Sequence, residues 1–155
     1  MLRNRSAPRL RRQRGFTLIE VLVSLLVFAF GVLALVGLQG VAIRFSTDAQ
    51  NRADATFLAD QLLGRMLISD PATIATFAHH ATGNAKCAPT GAASGNAVVT
   101  EWLDEVANLL PSATAAEQQI TVNAATGQVT VRLCWQSGND TAHELVVSNQ
   151  VQWQP

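Results

Sequence analysis

The chain has 155 residues, with eleven Lys and Arg balanced by eleven Asp and Glu, which is room for one small domain and an anchor. The balance hides an asymmetry: residues 1–15 hold Arg3, Arg5, Arg9, Arg11, Arg12 and Arg14 and no acid, leaving five basic against eleven acidic side chains, a net −6, in the remainder. A remainder of that sign lacks the basic footprint that binding to phosphates requires, so nucleic acid is excluded as the domain's expected partner. An Arg-rich arm could by itself bind RNA. Placed directly before an apolar run, it reads instead as a positive-inside topology signal.

The apolar run extends from Phe16 to Ile43 and holds one charge, Glu20. It is long enough to cross a hydrocarbon layer of about 30 Å. A secretory signal would place a small-residue cleavage site after such a run. Here no clear A-x-A site follows, and Gly15 precedes the run, so a cut at Gly15 would retain the hydrophobic helix. The expected orientation puts the Arg leader in the cytoplasm and the C-terminal part outside it. A lone carboxylate costs roughly 2.5–3.5 kcal/mol near a bilayer centre and less near the interface. The nearest group able to offset that cost is the amine created by a cut at Gly15–Phe16. Gly31, Gly37 and Gly40, with Ser24 and Ala34, read first as ordinary small residues of a membrane helix. Close helix packing is the sharper alternative, but Gly37 and Gly40 do not form a GxxxG pair.

From Arg44 to Leu67 the pattern turns amphipathic. Phe45, Ala49, Ala53, Phe57, Leu62, Leu63, Met66 and Leu67 form the expected apolar stripe, and Arg44, Asp48, Arg52, Asp54, Asp60 and Arg65 take other positions. Ser69-Asp70-Pro71 ends the helix. Residues 73–96 read as a weakly periodic connection carrying Cys87 and the pair His79-His80. Thr100 is the expected N-cap of a short helix closed by Pro111, with Glu101, Asp104 and Glu105 at its positive end.

The period then switches to two. Ile120 and Val122 run up to a turn at Asn123–Gly127, and Val129, Val131, Leu133 and Trp135 run away from it, as in a β-hairpin. After the turn Ser137–Asp140, a third strand alternates through His143, Leu145, Val147, Val151 and Trp153. The expected fold is α+β: a long N-terminal helix packed on a small antiparallel sheet. A globular part of about 85 residues is marginal without a staple. Outside the cytoplasm the two cysteines, Cys87 and Cys134, are expected to form a disulfide. Metal binding is the weaker reading, since no C-x-x-C occurs.

No catalytic constellation is visible. His79, His80 and His143 accompany no nucleophile motif, HExxH, P-loop or GxGxxG. His143 reads as a partly exposed strand residue, and Trp102, Trp135 and Trp153 as core or rim. Neither a cofactor nor a metal site is expected.

The segment Arg14-Gly15-Phe16-Thr17-Leu18-Ile19-Glu20-Val21-Leu22-Val23 resembles the class III signal of type IV prepilins and pseudopilins. The resemblance implies that a prepilin peptidase cuts between Gly15 and Phe16 and N-methylates Phe16. It implies that Glu20 neutralises the terminal amine of a neighbouring subunit during assembly. It divides the chain into a cleaved leader at 1–15, a transmembrane and assembly segment at 16–43, an amphipathic half-helix at 44–69 and a periplasmic domain at 70–155. The protein would sit in a bacterial inner membrane with a cytoplasmic N-terminus and then pass into a surface fibre. Its partners would be the bilayer, the peptidase, the inner-membrane assembly platform, and other minor and major pilins. The apolar segment has no mid-helix proline, the leader is long, and the cysteine pair does not close a loop at the extreme C-terminus; each departs from many major pilins. Ile19–Val27 and Gly31–Gln39 resemble minor pilins of the PilV group. The minor pseudopilins of type II secretion, I class, are the alternative, and a membrane-anchored binding module is a more distant one.

Overall fold

The structure, a computed structural model, describes residues 15–151. The six leader arginines and Trp153 lie outside the described residues. The chain divides into two units, Met1–Arg44 and Phe45–Pro155. Helix α1, Leu18–Leu67, contributes to both.

In the first unit the chain enters α1 through Gly15, Phe16 and Thr17, so the helix begins two residues later than the apolar run. Thr17 carbonyl accepts from the Glu20 and Val21 amides at 3.1 and 3.3 Å, closing the first turn. No proline interrupts the ladder. All side chains from Leu18 to Arg44 are exposed. The segment is long and apolar enough to cross a membrane.

The second unit is α+β, as expected. After α1 come a 3-10 turn at Pro71–Phe77, helix α2 at Ala97–Leu109, and strands β1 (Gln119–Asn123), β2 (Gln128–Trp135) and β3 (His143–Gln150). The strands form an antiparallel meander of order β1-β2-β3, with Ile120 opposite Val131 and Val131 opposite Val147. Alternation on β2 sends Val129, Val131, Leu133 and Trp135 into the core with Leu58, Leu62, Met66, Phe77, Trp102 and Val106.

Four expectations are corrected here. The buried stripe of α1 is Asn51, Ala55, Leu58, Ala59, Leu62, Leu63 and Met66. Phe45, Ala49, Ala53 and Phe57 lie on a different face and are exposed, as is Leu67. Both rows are apolar at helical spacing, so periodicity alone did not choose between them.

Helix α2 starts four residues before the expected point. Its N-cap is Asn96, whose Oδ1 accepts from the Val98 amide at 2.9 Å. Thr100 is inside the helix, with its hydroxyl donating to Ala97 carbonyl at 2.9 Å. Glu101, Asp104 and Glu105 therefore lie beyond the first turn, where the helix dipole has faded. Glu105 instead accepts from Arg65 Nη2 of α1 at 2.8 Å.

Pro71 opens a 3-10 turn as well as following α1, with Asp70 Oδ1 capping the Ala72 amide at 2.9 Å. The connection after it is also more ordered than its composition implied. His79 exchanges both main-chain hydrogen bonds with Ile120, at 3.0 and 2.9 Å, and Thr82 does the same with Thr90 at 2.9 and 2.7 Å.

Candidate functional site

The expected processing and assembly residues sit where the non-helical entry meets the first turn of α1. Phe16 is 82% exposed, in the short stretch before the helix. Glu20 lies in that first turn, where a carboxylate is favoured by the unsatisfied amides of a helix N-terminus. Its main-chain carbonyl accepts from Ser24 Oγ at 2.7 Å as well as from the helical ladder. Glu20 is the single charge between Phe16 and Ile43. At Gly31, Gly37 and Gly40 an added Cβ would meet no atom within 4 Å. A second helix could therefore approach the backbone closely there.

The domain contributes an exposed apolar row on its part of α1. Phe45 and Phe57 are 72% and 61% exposed, and Ala49 and Ala53 continue the row between them at four-residue spacing. Asp48 and Arg52 sit beside it, paired at 3.0 Å. Because Leu58, Leu62 and Met66 already cover the core, this second row is left without cover inside its own unit.

Cys87 and Cys134 are joined in a disulfide, Cα to Cα 5.5 Å, across 47 residues. The histidines do not converge. His79 is buried, with Nε2 against Ala115 carbonyl at 2.9 Å and Nδ1 accepting from the Ser94 amide at 3.0 Å. Its pKa is lowered, first by burial and then by the neighbouring His80, against a raising effect of the Ala115 carbonyl. His80 Nδ1 faces Gly91 carbonyl at 2.8 Å. His143 stacks on Trp135 and lies 3.5 Å from Asp48. Among the described residues no three His, Cys, Asp or Glu side chains form a group able to hold a metal. Trp102 and Trp135 fill the core. Sequence reasoning missed the structural weight of Gln118 and Gln119, both buried; nothing in their local pattern marks burial.

The prokaryotic N-terminal methylation motif matches residues 10–36, spanning the Arg–Gly junction, Phe16, Glu20 and the apolar segment as far as residue 36. No curated protein and no solved structure matches the chain. The motif, matched over residues 10–36, is the signal that type IV pilin-like and pseudopilin proteins carry at the head of a membrane-anchoring helix. Proteins with this signal are processed by a prepilin peptidase and assembled into pilus-type fibres. The second unit has the small α+β fold that such a subunit carries.

Proposed function

We propose that the chain is a minor type IV pilin of the PilV kind, a structural subunit that takes part in initiating or modifying a pilus. The observation that carries this reading is Gly15-Phe16-Thr17-Leu18-Ile19-Glu20 at the head of an uninterrupted apolar helix. Cleavage at Gly15–Phe16 removes the leader at 1–15, and the new Phe16 amine is N-methylated. The amine is then paired with Glu20 of a neighbouring subunit. In a low-dielectric helix bundle opposite charges attract strongly and an unpaired one is penalised, so the pair selects one axial register.

Residues 16–43 serve as membrane and assembly segment, 44–69 as the amphipathic half of the helix, and 70–155 as the periplasmic domain. The Phe45–Phe57 row supports docking on other subunits, since it is apolar and uncovered in its own unit. The proline-free α1 and a cysteine pair set within the domain favour a minor subunit over the main building block.

Intact-mass measurement on protein from membranes tests the processing step. A chain beginning at N-methyl-Phe16 is expected, and one still carrying Arg3 to Arg14 ends the pilin reading. Gene deletion separates the two machines. Loss of surface pili and twitching is expected; loss of protein secretion with pili intact would reassign the chain as a minor pseudopilin.

A further inference from the structure

We propose that Gln118 and Gln119 are positioning residues for oxidation of the cysteine pair. They seat Cys134 and the loop bearing Cys87 against each other before the sulfur–sulfur bond exists. Cys87 then meets the external oxidant first and Cys134 closes the bond.

Val131, Leu133 and Trp135 enter the core, so Thr130, Arg132 and Cys134 belong to the opposite face of the sheet. A residue on that face would ordinarily be open, yet Cys134 is only 1% exposed and Gln119, opposite Arg132, only 4%. The loop that follows His79 lies over them.

Two side-chain amides hold this arrangement. Gln118 Oε1 accepts from the Cys134 amide at 2.8 Å, and its Nε2 donates to Cys134 carbonyl at 3.1 Å and Thr114 carbonyl at 2.8 Å. A side chain thus takes the place of a neighbouring strand, fixing Cys134 where β1 has not yet begun. Gln119 Nε2 faces three carbonyls of the covering loop, His80 at 2.9 Å and Thr82 and Gly83 at 3.1 Å. The loop closes on itself through the Thr82–Thr90 bridge and His80 Nδ1 at 2.8 Å from Gly91 carbonyl.

None of these bonds involves sulfur. Buried amides with this many partners rigidify what they join, and leaving them unmade is costly. Cys87 itself sits at φ +54°, a left-handed conformation that L-residues avoid and that persists where surrounding contacts over-determine it.

Exposure sets the order of reaction. Cys87 is half-buried and Cys134 nearly closed off. With oxidised glutathione as the oxidant, the Cys87 thiolate attacks one glutathione sulfur, forming a mixed disulfide and releasing one reduced glutathione. The Cys134 thiolate then attacks Cys87 Sγ, forming the Cys87–Cys134 bond and releasing the second. The two thiol protons pass, by way of water, to the two released glutathione thiolates, and the two electrons end on glutathione.

The test uses the reduced full-length chain in detergent, oxidised glutathione, and acid quenching followed by thiol alkylation and peptide mapping. Glutathione should appear on Cys87, and the intramolecular bond should follow. Gln119→Ala and Gln118→Ala should each slow the closing step about tenfold, the worth of one net hydrogen bond, while the first step keeps its rate. Gln119→Glu, equal in size but without amide donors, should behave like Gln119→Ala. A second measurement needs no glutamine variant: Cys134→Ser, which leaves Cys87 as the one thiol, should be alkylated at least tenfold faster than Cys87→Ser. Equal alkylation rates, first attack at Cys134, or unchanged closure in both glutamine variants would overturn the proposal.

Discussion

The indole N–H of Trp102 donates to the main-chain carbonyl of Leu58 at 2.8 Å, in the centre of the domain core. Both residues are at most 1% exposed, so neither group has water as an alternative partner. The bond fixes α2 on α1 more firmly than the nearby Arg65–Glu105 pair, whose side chains are 28% and 38% exposed. An ion pair that open is worth about 1 kcal/mol at most. Trp102→Phe should therefore cost about 1–3 kcal/mol, and Trp102→Ala about 3–5 kcal/mol, in thermal unfolding of the detergent-solubilised chain. Glu105→Gln should change the same measurement by less than about 1 kcal/mol.

Gly127 ends the β1–β2 turn at φ +69°, and its carbonyl accepts from the Val151 amide at 2.8 Å. A Cβ there would run into the Val151 carbonyl oxygen, whereas at Gly138, φ +57°, it would meet nothing. Alanine at either site carries the left-handed penalty of roughly 1–2 kcal/mol. Gly127→Ala should be the more destabilising of the two in thermal unfolding, and the difference between them reads the clash.

His79 supplies a pH dependence with a definite sign. Nδ1 accepts the Ser94 amide, so the ring is the neutral Nε2–H tautomer donating to Ala115 carbonyl. Protonation would set two hydrogens against each other at Nδ1. Burial, the largest cause, lowers the folded pKa below the ordinary imidazole value of about 6.5, and the proximity of His80 adds to it. The unfolded chain then binds more protons than the folded one below that pH. Stability from this site is complete above about pH 6.5 and is lost as the pH falls from there through the folded pKa. Urea unfolding at stepped pH should show the decline, and His79→Gln should flatten it.

The long apolar segment and its motif were legible because their signals are local: an apolar run with a single charge, a glycine before it, and that charge a lone acid near its start. The strands were legible because Val129, Val131, Leu133 and Trp135 alternate against a core on one side only. The C-terminal part of the buried face of α1, Leu62, Leu63 and Met66, was legible; its N-terminal part was not, because Phe45, Ala49, Ala53 and Phe57 are as apolar as Ala55, Leu58 and Ala59. The order of residues 78–96 was invisible for a different reason. It depends on Gln119, His79 and Cys134 bonding to groups 15–47 residues away, and buried amides leave no periodic trace. Asn96 and Thr100 are both able caps, and only the observed dihedral and bond at Asn96 decide between them.

The two apolar rows of α1 also make opposite predictions. Phe57 is 61% exposed and Leu58, its neighbour, 1%. Phe57→Glu should leave unfolding within about 0.5 kcal/mol of wild type, as surface changes do. Leu58→Ala should cost about 2–5 kcal/mol. If the Phe45–Phe57 row docks on other subunits, Phe57→Glu should nonetheless abolish co-purification with partner pilins. A folded Phe57→Glu protein that still co-purifies at wild-type yield would remove the row from the assembly surface.

Glu20 separates targeting from assembly. Cleavage should depend on Gly15, because any side chain there would crowd the residue next to the scissile bond. Assembly should depend on Glu20, because only a carboxylate can pair with a neighbour's cationic Phe16 amine away from water. Glu20→Ala removes the one charge of the apolar segment, so the isolated helix should sit in lipid at least as favourably as before. The expected mutant is inserted and largely processed, with N-methyl-Phe16 found by mass analysis, yet absent from complexes with other pilins. Within an assembly the same change strands a partner's amine without its counter-charge, at a cost of about 3–5 kcal/mol for a broken buried pair. Glu20→Gln, which keeps the shape and loses the charge, should fail in the same way. If either variant joins its partners and supports pili as well as wild type, charge pairing does not set the register of this subunit.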